Sequence, residues 1–102
     1  MPAAAKHRRV GISLMSSSDT EAAIEHVQET QPGAVIDFRD CFYKIERQDQ
    51  LSFDMSELSE LAGRTIDTDI FLVNMSSYYG RIVVGDGRVD IYADIQPDRF
   101  KD

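Results

Sequence analysis

The chain has 102 residues, of which 42% are hydrophobic and 28% are charged. This length suits one domain but is short for two, and the apolar share is enough for a packed core. Eighteen acidic residues against eleven basic ones give a net charge of −7. Such a surface repels a phosphate backbone, which argues against nucleic-acid binding, and it favours a protein that is monomeric when free.

Cys41 is the only cysteine, so neither an internal disulfide nor a cysteine metal site is expected. This cysteine usage is typical of a reducing compartment. No stretch approaches the roughly 18 apolar residues that a membrane-spanning helix needs, and residues 1–6 lack the apolar core of a signal peptide. We therefore expect a cytoplasmic protein without a membrane partner.

The first elements follow a tail without periodicity. Residues 1–8 are small and then basic, and we predict a flexible N-terminal tail there. Arg9–Met15 alternates apolar with small residues, which is the spacing of a strand. Ser18 with Glu21 three residues later forms a capping-box pattern, so a helix should begin directly after Ser18 and end at Pro32-Gly33.

Short strands and a second helix are predicted next. Ala34–Phe38 and Phe42–Arg47 have strand composition and are joined by a short turn, and Leu51–Phe53 is a further short strand. Asp54, with Glu57 at the box position, predicts the cap of a second helix that ends at Gly63. The apolar stripe of this helix is Met55, Leu58, Leu61 and Ala62.

The last part of the chain carries the strongest hairpin signal. Asp69–Met75 is an apolar run that predicts a buried strand. Arg81–Val84 and Arg88–Ala93 flank Gly85-Asp86-Gly87, a pattern that is typical of a tight antiparallel hairpin.

The order of these elements predicts the fold class. We expect a compact single α+β domain in which strand-helix-strand-strand-helix is followed by a C-terminal antiparallel hairpin, with small antiparallel or mixed sheets. The domain should span residues 9–96, and residues 97–102 should form a short C-terminal tail.

Catalytic patterns are missing from the sequence. The only histidines, His7 and His26, lack the spacing of metal ligands, and we expect His26 to be a helix residue at the protein surface or at the boundary between surface and core. No serine lies in a Gly-x-Ser-x-Gly elbow, and Cys41 has no neighbouring base. The sequence therefore predicts a protein that is not an enzyme by itself and that binds no metal or organic cofactor.

One segment does not have the composition of an ordinary strand. Within Leu72–Ile82, small polar residues are followed by Tyr78, Tyr79 and a glycine. Tyrosine provides a large amphipathic contact area, and serine and asparagine provide adaptable hydrogen bonds, which favours a docking surface. The tyrosines could equally pack in the core beside the hairpin, and composition leaves both interpretations open. If strand alternation holds, Tyr78 points outward and Tyr79 inward.

This segment resembles the signature of the methane-monooxygenase regulatory protein and phenol-hydroxylase effector family. Methane-type members carry an Asn, one residue, two Ser, two further residues and then Gly-Arg. The match here falls on Asn74, Ser76, Ser77, Gly80 and Arg81. The resemblance continues upstream through Val10–Met15, the first predicted helix, Pro32-Gly33 and Leu58–Arg64, in the order of the family. It therefore covers nearly the whole chain from residue 9.

The resemblance implies a regulatory (coupling, or effector) component of a soluble multicomponent diiron monooxygenase. Such a component carries no cofactor, binds the diiron hydroxylase, and has only a transient functional link to the reductase. It alters substrate and oxygen access and couples electron transfer to hydroxylation or epoxidation. The implied hydroxylase contacts are Asn74, Met75, Ser76, Ser77, Tyr78, Gly80 and Arg81. Tyr78 and Tyr79 stand where methane-type members have smaller or aliphatic side chains. The overall pattern is most similar to that of the coupling proteins of propane or alkene monooxygenases.

The alternative from another class is a small ferredoxin-like ligand-binding or interaction module unrelated to monooxygenases. It would hold a metabolite between helices and sheet, and residues 74–80 would be an ordinary loop. A small hydrolase is the weakest hypothesis, because no candidate nucleophile has a base beside it.

Overall fold

The computed structural model describes residues 9–93, over which the chain forms seven strands and three helices. The strands are β1 (Arg9–Met15), β2 (Val35–Arg39), β3 (Phe42–Gln48), β4 (Gln50–Asp54), β5 (Met75–Tyr79), β6 (Arg81–Gly85) and β7 (Arg88–Tyr92). The helices are α1 (Ser18–Thr30), α2 (Met55–Ala62) and α3 (Thr68–Val73). The predicted α+β class is confirmed. Both predicted tails, and the predicted domain end at residue 96, lie outside the described residues.

Two small sheets organise the strands. Sheet I has the order β2-β3-β1-β5 and sheet II the order β4-β7-β6, and all the strand pairs in the described range are antiparallel. The chain passes directly from sheet I to sheet II at two single residues. Asp49 joins β3 to β4 with φ 76°, and Gly80 joins β5 to β6 with φ 116°.

Gly80 lies where the two sheets come closest. A Cβ at this position would be 2.8 Å from Cγ2 of Ile91 and 2.9 Å from both Cγ1 of Val10 and the carbonyl oxygen of Tyr92. Val10 belongs to sheet I and Ile91 to sheet II, and both are fully buried. Because the backbone also has a positive φ, only glycine fits here without strain.

A single hydrophobic core joins both sheets to the helices. The fully buried side chains include Val10, Ile12 and Leu14 of β1, Ala23 and Val27 of α1, Leu58 of α2, Leu51 and Phe53 of β4, and Val89 and Ile91 of β7. Phe53 also contacts Phe71 of α3, with ring centroids 4.9 Å apart. In residues 9–93, no helix is both long and apolar enough to cross a membrane.

The helix boundaries largely follow the predicted caps. Asp54 caps α2 by accepting from the backbone N–H groups of Ser56 and Glu57, and Gly63 ends the helix at φ 76°. The cap of α1 is Ser17 and not the predicted Ser18. In a run of three serines each could serve, and Ser17 has the extended backbone that a cap requires.

The predicted buried strand over Asp69–Met75 is wrong. Residues Thr68–Val73 form a helix, because the Asp67 side chain accepts a hydrogen bond from the N–H of Ile70 at 2.9 Å. Only Phe71 of this helix is buried, whereas Val73 is 79% exposed. A short apolar run has no periodicity that separates a strand from a helix.

The C-terminal hairpin is confirmed with a shorter turn than predicted. Gly85 pairs with Arg88 in the ladder, so the turn consists of Asp86 and Gly87 alone. Gly87 has φ 79° and takes the left-handed conformation that the turn needs.

The crossing at Gly80 generates the first stability prediction. Gly80→Ala should lower the free energy of unfolding by about 2–4 kcal/mol, from backbone strain and overpacking together. Gly87→Ala is the matched control, since Gly87 has a positive φ but no atom within 4 Å of the point where a Cβ would lie. It should lose only about 1 kcal/mol. Urea unfolding measures both variants, and equal losses would show that Gly80 is not tightly packed.

Candidate docking surface

Strand β5 carries most of the candidate residues and lies at an edge of sheet I. Its pairs with β1 are Tyr79–Gly11, Tyr78–Ile12, Ser77–Ser13 and Met75–Leu14. Ser76 has no opposite residue, because the register shifts by one at this point. Ser76 is therefore a β-bulge on the edge strand, a feature that redirects neighbouring side chains.

The bulge distributes the candidate residues over two faces. Opposite residues of an antiparallel pair share a face. Tyr78 therefore lies on the core-facing side with Ile12, and Met75 on the same side packs against the core. Ser77 and Tyr79 lie on the other side, which we call the open face. The predicted inward position of Tyr79 is wrong, whereas Tyr78 is exposed as predicted, although it lies on the same side of the sheet as Ile12.

Tyr79 lies flat on the open face, where Gly11 leaves room for it. A Cβ on Gly11 would be 2.5 Å from Cε1 of the Tyr79 ring. The phenol donates a hydrogen bond to the carboxylate of Glu46 on β3, and Nζ of Lys44 lies 5.8 Å from the ring centroid. Tyr79 thus bridges three strands of sheet I, although its side chain remains 39% exposed.

The Tyr79–Glu46 hydrogen bond contributes to a pKa shift of each group. It is the largest cause that lowers the pKa of Glu46 below 4.5, with Lys44 and Arg9 acting in the same direction and desolvation against them. Partial burial, followed by the hydrogen bond and charge of Glu46, raises the pKa of Tyr79 from 10.0 to about 12. At neutral pH the pair is a carboxylate and a neutral phenol.

The exposed candidates cluster around the bulge. Ser76 and Ser77 are exposed, and Tyr78 is 43% exposed because β5 is an edge strand. The Ser76 hydroxyl donates to the Ser13 carbonyl at 3.3 Å. Arg81 is also exposed, but it lies on β6 beyond the crossing between the sheets.

Asn74 has internal contacts. Its Oδ1 accepts from the Ser17 hydroxyl at 3.1 Å, and its Nδ2 donates to the Ile70 carbonyl at 3.2 Å and lies 3.5 Å from Oδ2 of Asp19. Its carbonyl oxygen accepts from the N–H of Met15 at 2.7 Å. Asn74 therefore ties β5 to α1, α3 and the end of β1.

Two exposed apolar residues next to Asn74 were missed by sequence reasoning. Val73 is 79% exposed and Met15 is 50% exposed, and each adjoins Asn74, Val73 along the chain and Met15 through the backbone hydrogen bond. The predicted strand over Asp69–Met75 hid this. A helix places Ile70 and Val73 on one face, which would have revealed the apolar surface.

A polar cleft of about 320 Å³ lies between α1, α2 and sheet II, on the part of the fold where the alternative hypothesis expects a metabolite. Side chains that line the cleft already contact one another: His26 lies 3.1 Å from Glu57, and Arg88 lies 3.7 Å from Asp54. His26 is only 5% exposed and lines the cleft, so of the two expected positions, surface or boundary, the surface one is wrong. No group of three or more metal-ligating side chains occurs among residues 9–93.

Comparison with known sequences decides between the hypotheses. A sequence model of the MmoB/DmpM family matches residues 8–92. The chain belongs to the MmoB/DmpM family. The resemblance carried by the Asn74–Arg81 segment is thereby confirmed, and a module unrelated to monooxygenases is excluded. No curated protein matches the chain significantly.

Solved structures agree with the fold of the MmoB/DmpM family. A chain from a structure of the phenol hydroxylase–regulatory protein complex is 22% identical to this protein, with a TM-score of 0.75. The match covers 84% of this chain and 99% of that chain. A second chain from such a complex is 23% identical, with a TM-score of 0.69, and the match covers 82% of this chain and 98% of that chain. The soluble methane monooxygenase regulatory protein B is 24% identical, with a TM-score of 0.67, and the match covers 93% of this chain and 73% of that chain.

Family membership defines the class of function. This member of the MmoB/DmpM family is a regulatory component of a diiron monooxygenase and not its catalytic component. The predicted function class is confirmed.

The Tyr79–Glu46 pair predicts a pH dependence of stability. The lowered pKa of Glu46 contributes stability that is present above pH 4.5 and is lost as the pH falls below it. The raised pKa of Tyr79 contributes stability that is present below pH 10.0 and is lost as the pH rises toward about 12. Tyr79→Phe should reduce the loss of stability at acid pH and abolish the loss of stability at alkaline pH.

Urea unfolding across the pH range measures this effect, which should be at most about 1 kcal/mol because both groups are partly exposed. Tyr78→Phe is the control, since it leaves the Tyr79–Glu46 pair intact. An unchanged pH profile in Tyr79→Phe would show that the pair does not exist in solution.

Proposed function

We propose that this protein binds the hydroxylase of its monooxygenase through the edge of sheet I, and that binding alters substrate and oxygen access to the diiron site. The docking end, as we define it, consists of Met15, Val73, Ser76, Ser77 and Tyr78. The observation that carries the proposal is that the family signature lies on an exposed, bulged edge strand, beside two exposed apolar residues. The phenol hydroxylase–regulatory protein complexes that share the fold support a hydroxylase as the partner.

The composition of the docking end suits a specific protein contact. Its residues are polar or apolar but uncharged, in a protein whose net charge is −7. Protein interfaces are depleted of charge at their centre and enriched in tyrosine and methionine. Tyr78 is the natural anchor, because a large aromatic side chain near the centre of an interface often dominates binding.

The regulatory effect follows from binding alone. A protein without a cofactor changes a reaction only if it binds some states of the enzyme more tightly than others. We propose that the docking end favours a hydroxylase state with a closed pocket, which excludes water from reactive oxygen intermediates. The product would be a hydroxylated or epoxidised hydrocarbon, and the reductase would be affected only through the hydroxylase.

The remaining signature residues divide by position. We propose that Arg81 extends the contact onto β6, whereas Met75 and Gly80 support it from within the core. Cys41 is an exposed free thiol, which suits the reducing cytoplasm that we propose as the location. We also propose that the free protein is a monomer.

Truncation of the anchor tests the proposal. Tyr78→Ala should weaken hydroxylase binding by about 2 kcal/mol, or roughly 30-fold in Kd, and lower the product formed per electron donor consumed. Ser76→Ala and Ser77→Ala each remove one hydroxyl and should cost about 0.5–1.5 kcal/mol. Calorimetric titration with the hydroxylase gives the affinities, and thermal melting verifies folding.

Phe38→Ala is the matched control for this test. Phe38 is an aromatic residue with 54% exposure on β2, at the opposite edge of sheet I. Its truncation should leave hydroxylase binding unchanged. If Phe38→Ala weakens binding as much as Tyr78→Ala, or if folded Tyr78→Ala binds normally, the docking end is misplaced.

A further inference from the structure

The Asn74 side chain uses both of its donors inside the protein. An asparagine amide has two N–H donors and a carbonyl oxygen with two lone pairs. Here Nδ2 contacts the Ile70 carbonyl and the Asp19 carboxylate, and Oδ1 accepts from Ser17. The amide therefore has little hydrogen-bonding capacity left for a partner protein.

The contacts of Asn74 extend through Asp19 to Arg64, which is not one of the residues of the docking end. The Arg64 guanidinium donates to the Asp19 carboxylate and to the Ser18 hydroxyl, the latter at 2.9 Å. Asp19 thus stands between Arg64 on one side and Asn74 on the other. Arg64 follows α2, so this chain of contacts links three helices to the start of β5.

These bonds hold the segment on which the bulge depends. Asn74 directly precedes β5, and its carbonyl oxygen pairs with the N–H of Met15 just beyond the register shift. Ser76 is two residues further along. The position of the Asn74 backbone therefore fixes one side of the bulge, while the Ser77–Ser13 pair fixes the other.

We propose that Asn74 is a positioning residue for hydroxylase regulation and not a contact residue. Through its bonds to Ser17, Asp19 and Ile70, it sets the conformation of the Ser76 bulge and hence the direction in which Tyr78 is presented. The Arg64–Asp19 pair supports this conformation indirectly, because Asp19 also contacts Asn74. The inference rests on the docking end proposed above, but it assigns a role to Arg64 that a contact surface alone does not.

Arg64→Gln separates positioning from contact, because Arg64 lies outside the docking end. It should lower hydroxylase affinity and the product formed per electron consumed by roughly threefold to tenfold, as expected for residues coupled through shared partners. In the free protein, it should shift the backbone amide resonances of Ser76 and Tyr78. Arg39→Gln is the control, since Arg39 is also an exposed, ion-paired arginine, with Asp37 at 2.7 Å, at the other edge of sheet I.

A double-mutant cycle completes the test. Asn74→Ala should have a similar or larger effect than Arg64→Gln, and the two together should be no worse than Asn74→Ala alone. The product formed per electron consumed is measured with each variant at saturating concentration. Only variants that melt above the assay temperature are compared, so that a loss of folded protein does not change this ratio.

The outcomes distinguish this inference from the proposed function. The positioning role would be overturned if the effects of Asn74→Ala and Arg64→Gln were additive, or if Arg64→Gln had no more effect than Arg39→Gln. In either case Tyr78→Ala would still impair hydroxylase binding, so the docking end would stand. Normal binding by Tyr78→Ala would overturn the docking end itself. If Asn74→Ala does not fold, the Arg64→Gln comparison decides the question alone.

Discussion

The close approach of the two sheets at Gly80 is the constraint on which the rest of the structure depends. Its backbone packs directly against Val10 and Ile91, which are buried on different sheets. Because this contact fixes the end of β5, it also fixes which residue of β5 faces Gly11. Tyr79 takes that place, and the bulge at Ser76 absorbs the remaining length of chain. The docking end therefore depends on the packing of the core and not on a separate loop.

The family signature combines two kinds of residue. Gly80 and Asn74 make internal contacts that shape β5, whereas Ser76 and Ser77 are exposed. A signature of this kind describes a local backbone shape together with the side chains presented on it.

Local signals predicted most of the fold, whereas the errors had both local and non-local causes. Alternation in β1, the Asp54 cap and the C-terminal hairpin each depend on neighbours in sequence, and each was predicted. The helix at Thr68–Val73 was missed because a short apolar run fits either element until the Asp67 cap is recognised. The faces of Tyr78 and Tyr79 depend on pairing with β1, more than sixty residues away, and on a bulge that no local pattern announces.

The proposed docking of β5 on the hydroxylase can be tested by hydrogen–deuterium exchange of the protein alone and in complex with its hydroxylase. Docking through the edge of sheet I should slow the exchange of the backbone amides of Ser76, Ser77 and Tyr78 in β5. The amides of β2, at the opposite edge of sheet I, should exchange as in the free protein. Protection confined to β2 or to the polar cleft beside α2, with β5 unchanged, would contradict the proposed docking.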